Sequence, residues 1–368
     1  MSGALRTAVI GGGLIAQAIH VPNLARLTDA FELVAIADVS ATVAGGLADR
    51  HAPARAYTDW AAMLDEERLD ALVVCSPSAT HAEVVLAALH RGLHVLVEKP
   101  MCIAPDDAAA ICRRREETGV VVQVGYMKRY DRAYEAFLDA LPAGSEALRL
   151  VDVVTYDPWL AREPFVPWSS MLRGDDVPER VLAAARAAEA EQVRRAVGTD
   201  DPVAVRVYGD TFLGALVHDV NLVHGALDRL GMRGDVEPLG AAYRADGDAA
   251  SITARLPGGA TWHSAWLLVR GLMDFRERAS LYFADAVHEL ELPAPYWPDA
   301  PRLHRVIGVR DGEHTVAVTE HVDDAYIAEL RHFHACIVDG ATCRTPPEQA
   351  LRDIDLLREL YRLTPPLI

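Results

Sequence analysis

The chain has 368 residues, 51% hydrophobic and 24% charged, with a formal net charge of −17. At about 150 residues per domain, this length accommodates two globular cores. The acidic balance argues against nucleic acid or an anionic membrane surface as a partner, because both need basic patches, and no apolar run reaches the roughly 18 residues of a membrane-spanning helix.

The first 125 residues alternate between apolar, strand-like runs and helix-like stretches. The runs are "LRTAVI", "FELVAIAD", "DALVVCSP", "LHVLVEK" and "VVVQVGY". The helical stretches are Leu14 to Thr28, Ala41 to His51, Thr58 to Glu66, Thr80 to Arg91 and Pro105 to Thr118. Pro105 followed by two aspartates is a favourable helix start. This alternation predicts an α/β fold with a doubly wound parallel sheet, and the unbroken apolar runs suit strands buried on both faces. The N-terminus enters a strand almost at once and shows no secretory pattern, so a cytoplasmic protein is expected. The five cysteines (Cys75, Cys102, Cys112, Cys336, Cys343) contain no C-x-x-C spacing and are expected as free thiols.

Beyond about Tyr126 the pattern changes. "ALRLVDVVTYD" reads as a strand, a Pro-rich loop follows over 158–176, and "PERVLAAARAAEAEQVRRAV" reads as an alanine-rich helix. A helix is expected from about Thr211 to Leu230, with strands between Val236 and Val318. "ELPAPYWPDAPR" is expected as a loop because its prolines break a ladder. Helices from Asp324 to Asp339 and Pro347 to Arg362 close the chain. Strands beside helices predict a C-terminal α+β domain. The expected division is a Rossmann domain over 1–125 and a second domain over 126–368 with a helical insertion at about 175–200. That insertion suits a lid, an assembly element or a plain packed helix pair.

The first chemical motif is "AVIGGGLIAQAIH", which places Gly11, Gly13 and Ala16 as G-x-G-x-x-A between a strand and a helix. Gly11 permits the tight turn, Gly13 lets a pyrophosphate approach the backbone, and Ala16 lets helix pack on strand. Leu14 and Ile15 open the helix whose N-terminal N–H groups would face the phosphates. Asp38 ends the second strand, where a carboxylate accepts from a ribose 2′-hydroxyl and repels a 2′-phosphate. No arginine follows it, so NAD is expected in preference to NADP. The alternative for Asp38 is a helix cap.

The second motif is "LHVLVEKP". In a doubly wound sheet ligands bind beyond the carboxyl ends of the strands, so Lys99 is expected in the crevice, where it can stabilise charge on a substrate oxygen. The bond before Pro100 is a candidate for cis geometry.

The glycine motif, "SPSATHAEVVLAALHRGLHVLVEKP", "VQVGYMKRYD" and "AYIAELRHFHACIVDG" together resemble the glucose-fructose oxidoreductase and inositol dehydrogenase family (Gfo/Idh/MocA), over nearly the whole chain. The stretch from Gln123 to Asp131 looks most like inositol dehydrogenases. The resemblance implies a second domain with a large open, mostly antiparallel sheet, often used for dimer or tetramer assembly. It implies an active-site role for Lys99, cofactor contacts from Ser76, Pro77, Ser78, His81 and Glu98, and substrate contacts from Met127, Lys128, Tyr156 and Asp157. It aligns His218 with a histidine acting as general base. The family's aspartate four residues earlier is replaced by Gly214, which puts the partner of His218 in doubt, with Asp210 and Asp157 as candidate substitutes. Asp219 lies on another side of the helix.

His321, His332 and His334 are not expected to form a metal site, since His332 and His334 point to different helix faces. Trp262 and Trp266 read as core or interface. The expected activity is NAD(H)-dependent oxidation or reduction of a sugar, sugar derivative or cyclitol. The alternatives are a dinucleotide-binding regulator that lost catalysis, or NAD-dependent chemistry of glycosidase or imine-reductase type.

Overall fold

The computed structural model describes residues 3–51, 54–144, 147–158, 165–166, 168–232, 234–297 and 299–364. The loops expected over 158–176 and 291–302 lie partly outside these residues. The chain forms two compact units: residues 1–126, 166–196 and 326–351 make the first, and 127–165, 197–325 and 352–368 the second. The units are therefore not the two contiguous blocks expected, because the chain returns twice to the first one.

In the first unit β1 (Leu5–Ile10) leads through a π-helical turn at Ala16–His20 into α1 (Val21–Arg26). Then follow β2 (Phe31–Ala37), α2 (Ala41–Arg50), β3 (Arg55–Tyr57), α3 (Trp60–Glu66), β4 (Ala71–Val74), α4 (Ser78–His90), β5 (His94–Glu98), α5 (Pro105–Thr118) and β6 (Val122–Gly125). The six strands are parallel in the order β3-β2-β1-β4-β5-β6. That is the order of a dinucleotide-binding sheet, which reverses direction between β1 and β4. β1, β4 and β5 are buried almost throughout, which explains their unbroken apolar sequences. The short edge strand β3 was not expected; "RAY" is too brief and too polar to show an apolar run.

The second unit holds α6 (Arg132–Ala140) and β7 (Leu148–Asp157). The helix α7 (Glu179–Val197) lies almost wholly in the first unit. The chain continues with a short turn α8 (Pro202–Ala204), a π-helical stretch at Val205–Leu216 and α9 (Val217–Arg229). Next come β8 (Glu237–Tyr243), β9 (Ala249–Arg255), β10 (Thr261–Leu268), β11 (Arg276–Phe283), β12 (Ala286–Leu292), β13 (Arg302–Arg310) and β14 (Glu313–His321). The last helices are α10 (Ala325–Val338) and α11 (Pro347–Leu363). These eight strands form one sheet, β14-β13-β12-β11-β7-β10-β9-β8. It is antiparallel except where β10 runs parallel to β7. β14 is an edge strand exposed along nearly its whole length.

Both returns to the first unit have an apolar cause. Leu330 and Phe333 of α10 are fully buried in the same core as Val9, Phe31 and Leu96, and Leu172 packs against that core. In the second unit, Tyr134 and Phe137 supply the buried face of α6, which lies on β12 and β13. Trp262 is fully buried there, with its indole N–H donating to Ser264 at 2.9 Å. Among the described residues, no helix is long and apolar enough to cross a membrane, and no cluster of three or more His, Cys, Asp or Glu side chains could hold a metal ion.

Candidate dinucleotide and active site

The glycine loop is dictated by close approach. Gly11 has φ +92°, and a Cβ there would fall 2.4 Å from the Ser76 nitrogen, against backbone that cannot give way. Gly12, to which the sequence pattern assigned nothing, has no room either: a Cβ would lie 2.4 Å from Val43 Cγ1 of α2. Gly13 is the opposite case, with nothing within 4 Å of an added Cβ, so its backbone faces open space. Ala16 is fully buried at the start of the π turn, while Leu14 and Ile15 are half-buried beside it.

Asp38 follows β2. Its Oδ2 accepts the Gly12 N–H at 2.7 Å and its Oδ1 the Ser40 N–H at 2.8 Å. Each carboxylate oxygen keeps acceptor capacity beyond one such bond. A cleft of about 120 Å³ opens here, lined among others by Gly11, Asp38, Val39, Thr58, Ser76 and Pro77. Open space at Gly13, a left-handed Gly11 and an acidic wall at the end of β2 fit an adenosine diphosphate half of a dinucleotide.

At the ends of β4 and β5 the structure separates lining residues from braces. Ser76 Oγ accepts from Thr80 Oγ1 at 2.7 Å at the cleft wall, and Ser78 begins α4. His81 is buried, with Nδ1 2.8 Å from the Pro100 carbonyl oxygen and Nε2 2.7 Å from that of Ser76. Burial lowers the pKa of His81, against the opposing pull of these two carbonyls. His81 thus ties the end of β4 to the residue after Lys99.

Glu98 is also committed inward. His20 Nε2 sits 2.7 Å from its Oε1, and its Oε2 accepts the Lys99 N–H at 3.2 Å. Burial raises the Glu98 carboxyl, but the hydrogen bond and charge of His20, with Lys99, outweigh it and hold the group below the usual range. Gly125 packs closely here: a Cβ would lie 3.2 Å from the Glu98 carboxyl, which would have to shift to admit it. The Lys99–Pro100 bond is cis, and Lys99 emerges, half-buried, at the carboxyl end of β5. Glu329 of α10 is fully buried near this pair; burial and then the Glu98 charge raise its carboxyl well above the ordinary value.

In the second unit, His218 is the second residue of α9 and half-buried. The π-helical stretch before it closes five-residue rather than four-residue turns, so helical spacing counted back from His218 does not follow the α pattern. Gly214 sits in that stretch with room to spare, an added Cβ meeting only the Gly209 carbonyl at 3.6 Å. Asp210, a candidate substitute carboxylate, has Arg206 as its charge neighbour.

Lys128 is not a bare cation. Its Nζ lies 2.6 Å from Glu277 Oε1 and 3.9 Å from Asp219 Oδ1, in a largely buried group. Burial, joined by the Glu277 charge and opposed by Lys128, raises the Asp219 carboxyl to about 8. One lysine thus faces two carboxyls, and burial favours the protonated form of Asp219. Met127 is buried, Tyr156 is exposed at the end of β7, and Asp157 is half-buried beside it. The sequence offered no signal for His20 or Glu277, whose partners lie 78 and 149 residues away.

These features define a unit of dinucleotide-binding type, followed by a second α/β unit. Residues 5–126 match the family model described as an oxidoreductase family with an NAD-binding Rossmann fold. The match to this family, Gfo/Idh/MocA, covers that stretch of the chain. Among curated proteins, it is 37% identical over 145 residues to inositol 2-dehydrogenase 3 of Saccharopolyspora erythraea, covering 38% of this chain and 41% of the relative. It is 35% identical over 129 residues to D-glucoside 3-dehydrogenase of Escherichia coli, covering 35% and 36%. It is 31% identical over 152 residues to 4-carboxy-2-hydroxymuconate-6-semialdehyde dehydrogenase of a Sphingobium strain, covering 41% and 48%. Each of these matches spans less than half of the relative's length. Among solved structures, UDP-N-acetylglucosamine 3-dehydrogenase of Acidithiobacillus ferrooxidans superposes with a TM-score of 0.69 at 21% identity, covering 98% of both chains. A 3-ketoreductase of Actinomadura kijaniata, solved with NADP and TDP-benzene, gives 0.72 at 19% identity over 99% of this chain and 100% of that one. At these identities the likeness is one of fold.

Proposed function

We propose that this protein is an NAD(H)-dependent oxidoreductase acting on a secondary alcohol or ketone of a sugar, sugar derivative or cyclitol. The observation that carries this is the presence in one unit of the acidic-walled nucleotide cleft and of Lys99 at the carboxyl end of β5. The names of the relatives, which include an inositol and a glucoside dehydrogenase, support the substrate class. When bound, the nicotinamide supplies or accepts the hydride. Gly11 and Gly13 admit the pyrophosphate to the backbone, Leu14 and Ile15 present the helix start, and Asp38 accepts from the ribose hydroxyls. Ser76, Pro77 and Ser78 line the cofactor side, while His81 and Glu98 act behind them as braces. Lys99 donates to the substrate oxygen and stabilises the charge that develops on it. His218 exchanges the proton, which an imidazole does readily near neutral pH. Met127, Tyr156 and Asp157 serve substrate binding, with Lys128 contributing through its ion pair. The second unit is read as the substrate-binding and assembly unit of a cytoplasmic homodimer or homotetramer.

The test is a fluorescence titration with NADH and NADPH, followed by a screen of polyols and keto sugars. Lys99→Ala is expected to cut turnover by orders of magnitude while leaving NADH affinity nearly unchanged; equal turnover in variant and wild type would refute the role of Lys99. Gly214 favours a second reading, a dinucleotide-binding regulator without turnover. NADH binding with no oxidation or reduction of any screened polyol or keto sugar would select it.

A further inference from the structure

The segment 168–176 belongs to the first unit and is fastened to the nucleotide loop at several points. The Gln17 side chain donates to the Gly12 carbonyl at 2.7 Å and to that of Leu172 at 3.1 Å, and its Oε1 accepts the Leu172 N–H at 2.8 Å. Arg50 donates to the Ser170 carbonyl at 3.2 Å. Leu172 lies on α2 at Gly46, where a Cβ would come within 2.7 Å of it. The strap ends at Asp176, whose carboxylate accepts from the Ser40 hydroxyl and from the Thr42 N–H at 3.1 Å.

This is the place where a 2′-phosphate would need donors. It extends from the ribose oxygen that Asp38 would bind, toward the residues just after β2 and the start of α2. Four donors there are already used by the chain: the Ser40 N–H by Asp38, the Val43 N–H by Ser40 Oγ at 3.1 Å, and the Ser40 hydroxyl and Thr42 N–H by Asp176.

We propose that Asp176 is a second cofactor-selecting residue, delivered by the strap, which fills the 2′-phosphate position with a carboxylate and so reinforces NAD over NADP. It rests on the dinucleotide reading of the cleft and adds a residue about 160 positions from the glycine motif. Asp176 is exposed, so its removal leaves the core untouched.

The experiment is a fluorescence titration of wild type, Asp176→Ala and Asp176→Asn with NADH and NADPH at low, fixed ionic strength, where exposed charges are least screened. Asp176→Ala is expected to tighten NADPH by about tenfold, roughly 1.4 kcal/mol, with NADH changed less than about twofold. Asp176→Asn, which drops the charge and keeps one of the two accepting oxygens, is expected to move NADPH in the same direction. Unchanged NADPH affinity in both variants would overturn the proposal, as would NADH and NADPH shifting together. Failure of the wild type to bind either dinucleotide would instead remove the cofactor reading, and this inference with it.

Discussion

Replacing Asp219 by asparagine is expected to stabilise the protein, increasingly so as the pH rises. Asp219 is 2% exposed and shares Lys128 with Glu277, which takes the closer position at 2.6 Å against 3.9 Å. Its folded carboxyl titrates at about 8 against an ordinary 3.8. Between those values the unfolded chain has lost the proton that the folded chain retains. The folded state therefore binds more protons, and stability falls as pH rises, by up to about 1.4 kcal/mol per unit. Asparagine is isosteric with the protonated acid and cannot ionise in either state. From pH 5.5 to 7.5 its advantage over aspartate should grow by up to ~2.7 kcal/mol, or about 5 to 10 °C in melting temperature for a unit of this size. Thermal melts of both proteins across this range measure the difference directly, with contributions from titrating groups away from Lys128 and Glu277 cancelling. A melting difference that stays constant with pH, or Asp219→Asn melting lower throughout, would show that Asp219 is ionised in the folded protein.

Glu98 behaves oppositely, because its folded carboxyl lies below the ordinary value. Its contribution is present above the unfolded value, near 4.5, and is lost as pH falls through the folded one. Glu98→Gln should destabilise the protein by about 1–3 kcal/mol at pH 7, and melts at pH 4 should show a smaller gap than melts at pH 7. Gly11→Ala places a Cβ 2.4 Å from backbone at φ +92°. Left-handed strain of about 1–2 kcal/mol adds to that clash, so NADH binding by titration should be lost, and retained binding would contradict the loop geometry.

Local signals carried a definite part of this structure. The helix expected from Pro105 to Thr118 has those bounds, because proline and two aspartates at its start and glycine after its end act within one turn. Continuous apolar runs marked five of the six strands of the first sheet, since a strand buried on both faces needs no partner to declare itself. The glycine spacing and Asp38 were legible for the same reason: turn, close approach and charge are properties of a few adjacent residues.

What tertiary structure alone decided is which distant groups meet. β3, with three residues at a sheet edge, carries no apolar signature. The π-helical stretch before His218 is defined by backbone bonding that no side-chain period reports. His20 braces Glu98, Glu277 claims Lys128, and Asp176 reaches Ser40 across 136 positions. Such pairings depend on the packing of whole elements, and in this protein the chain returns to its first unit after leaving it. A period of 2 or 3.6 tells which face of an element is buried, but the partner of that face is selected by the shape and apolar area of every other element competing for it.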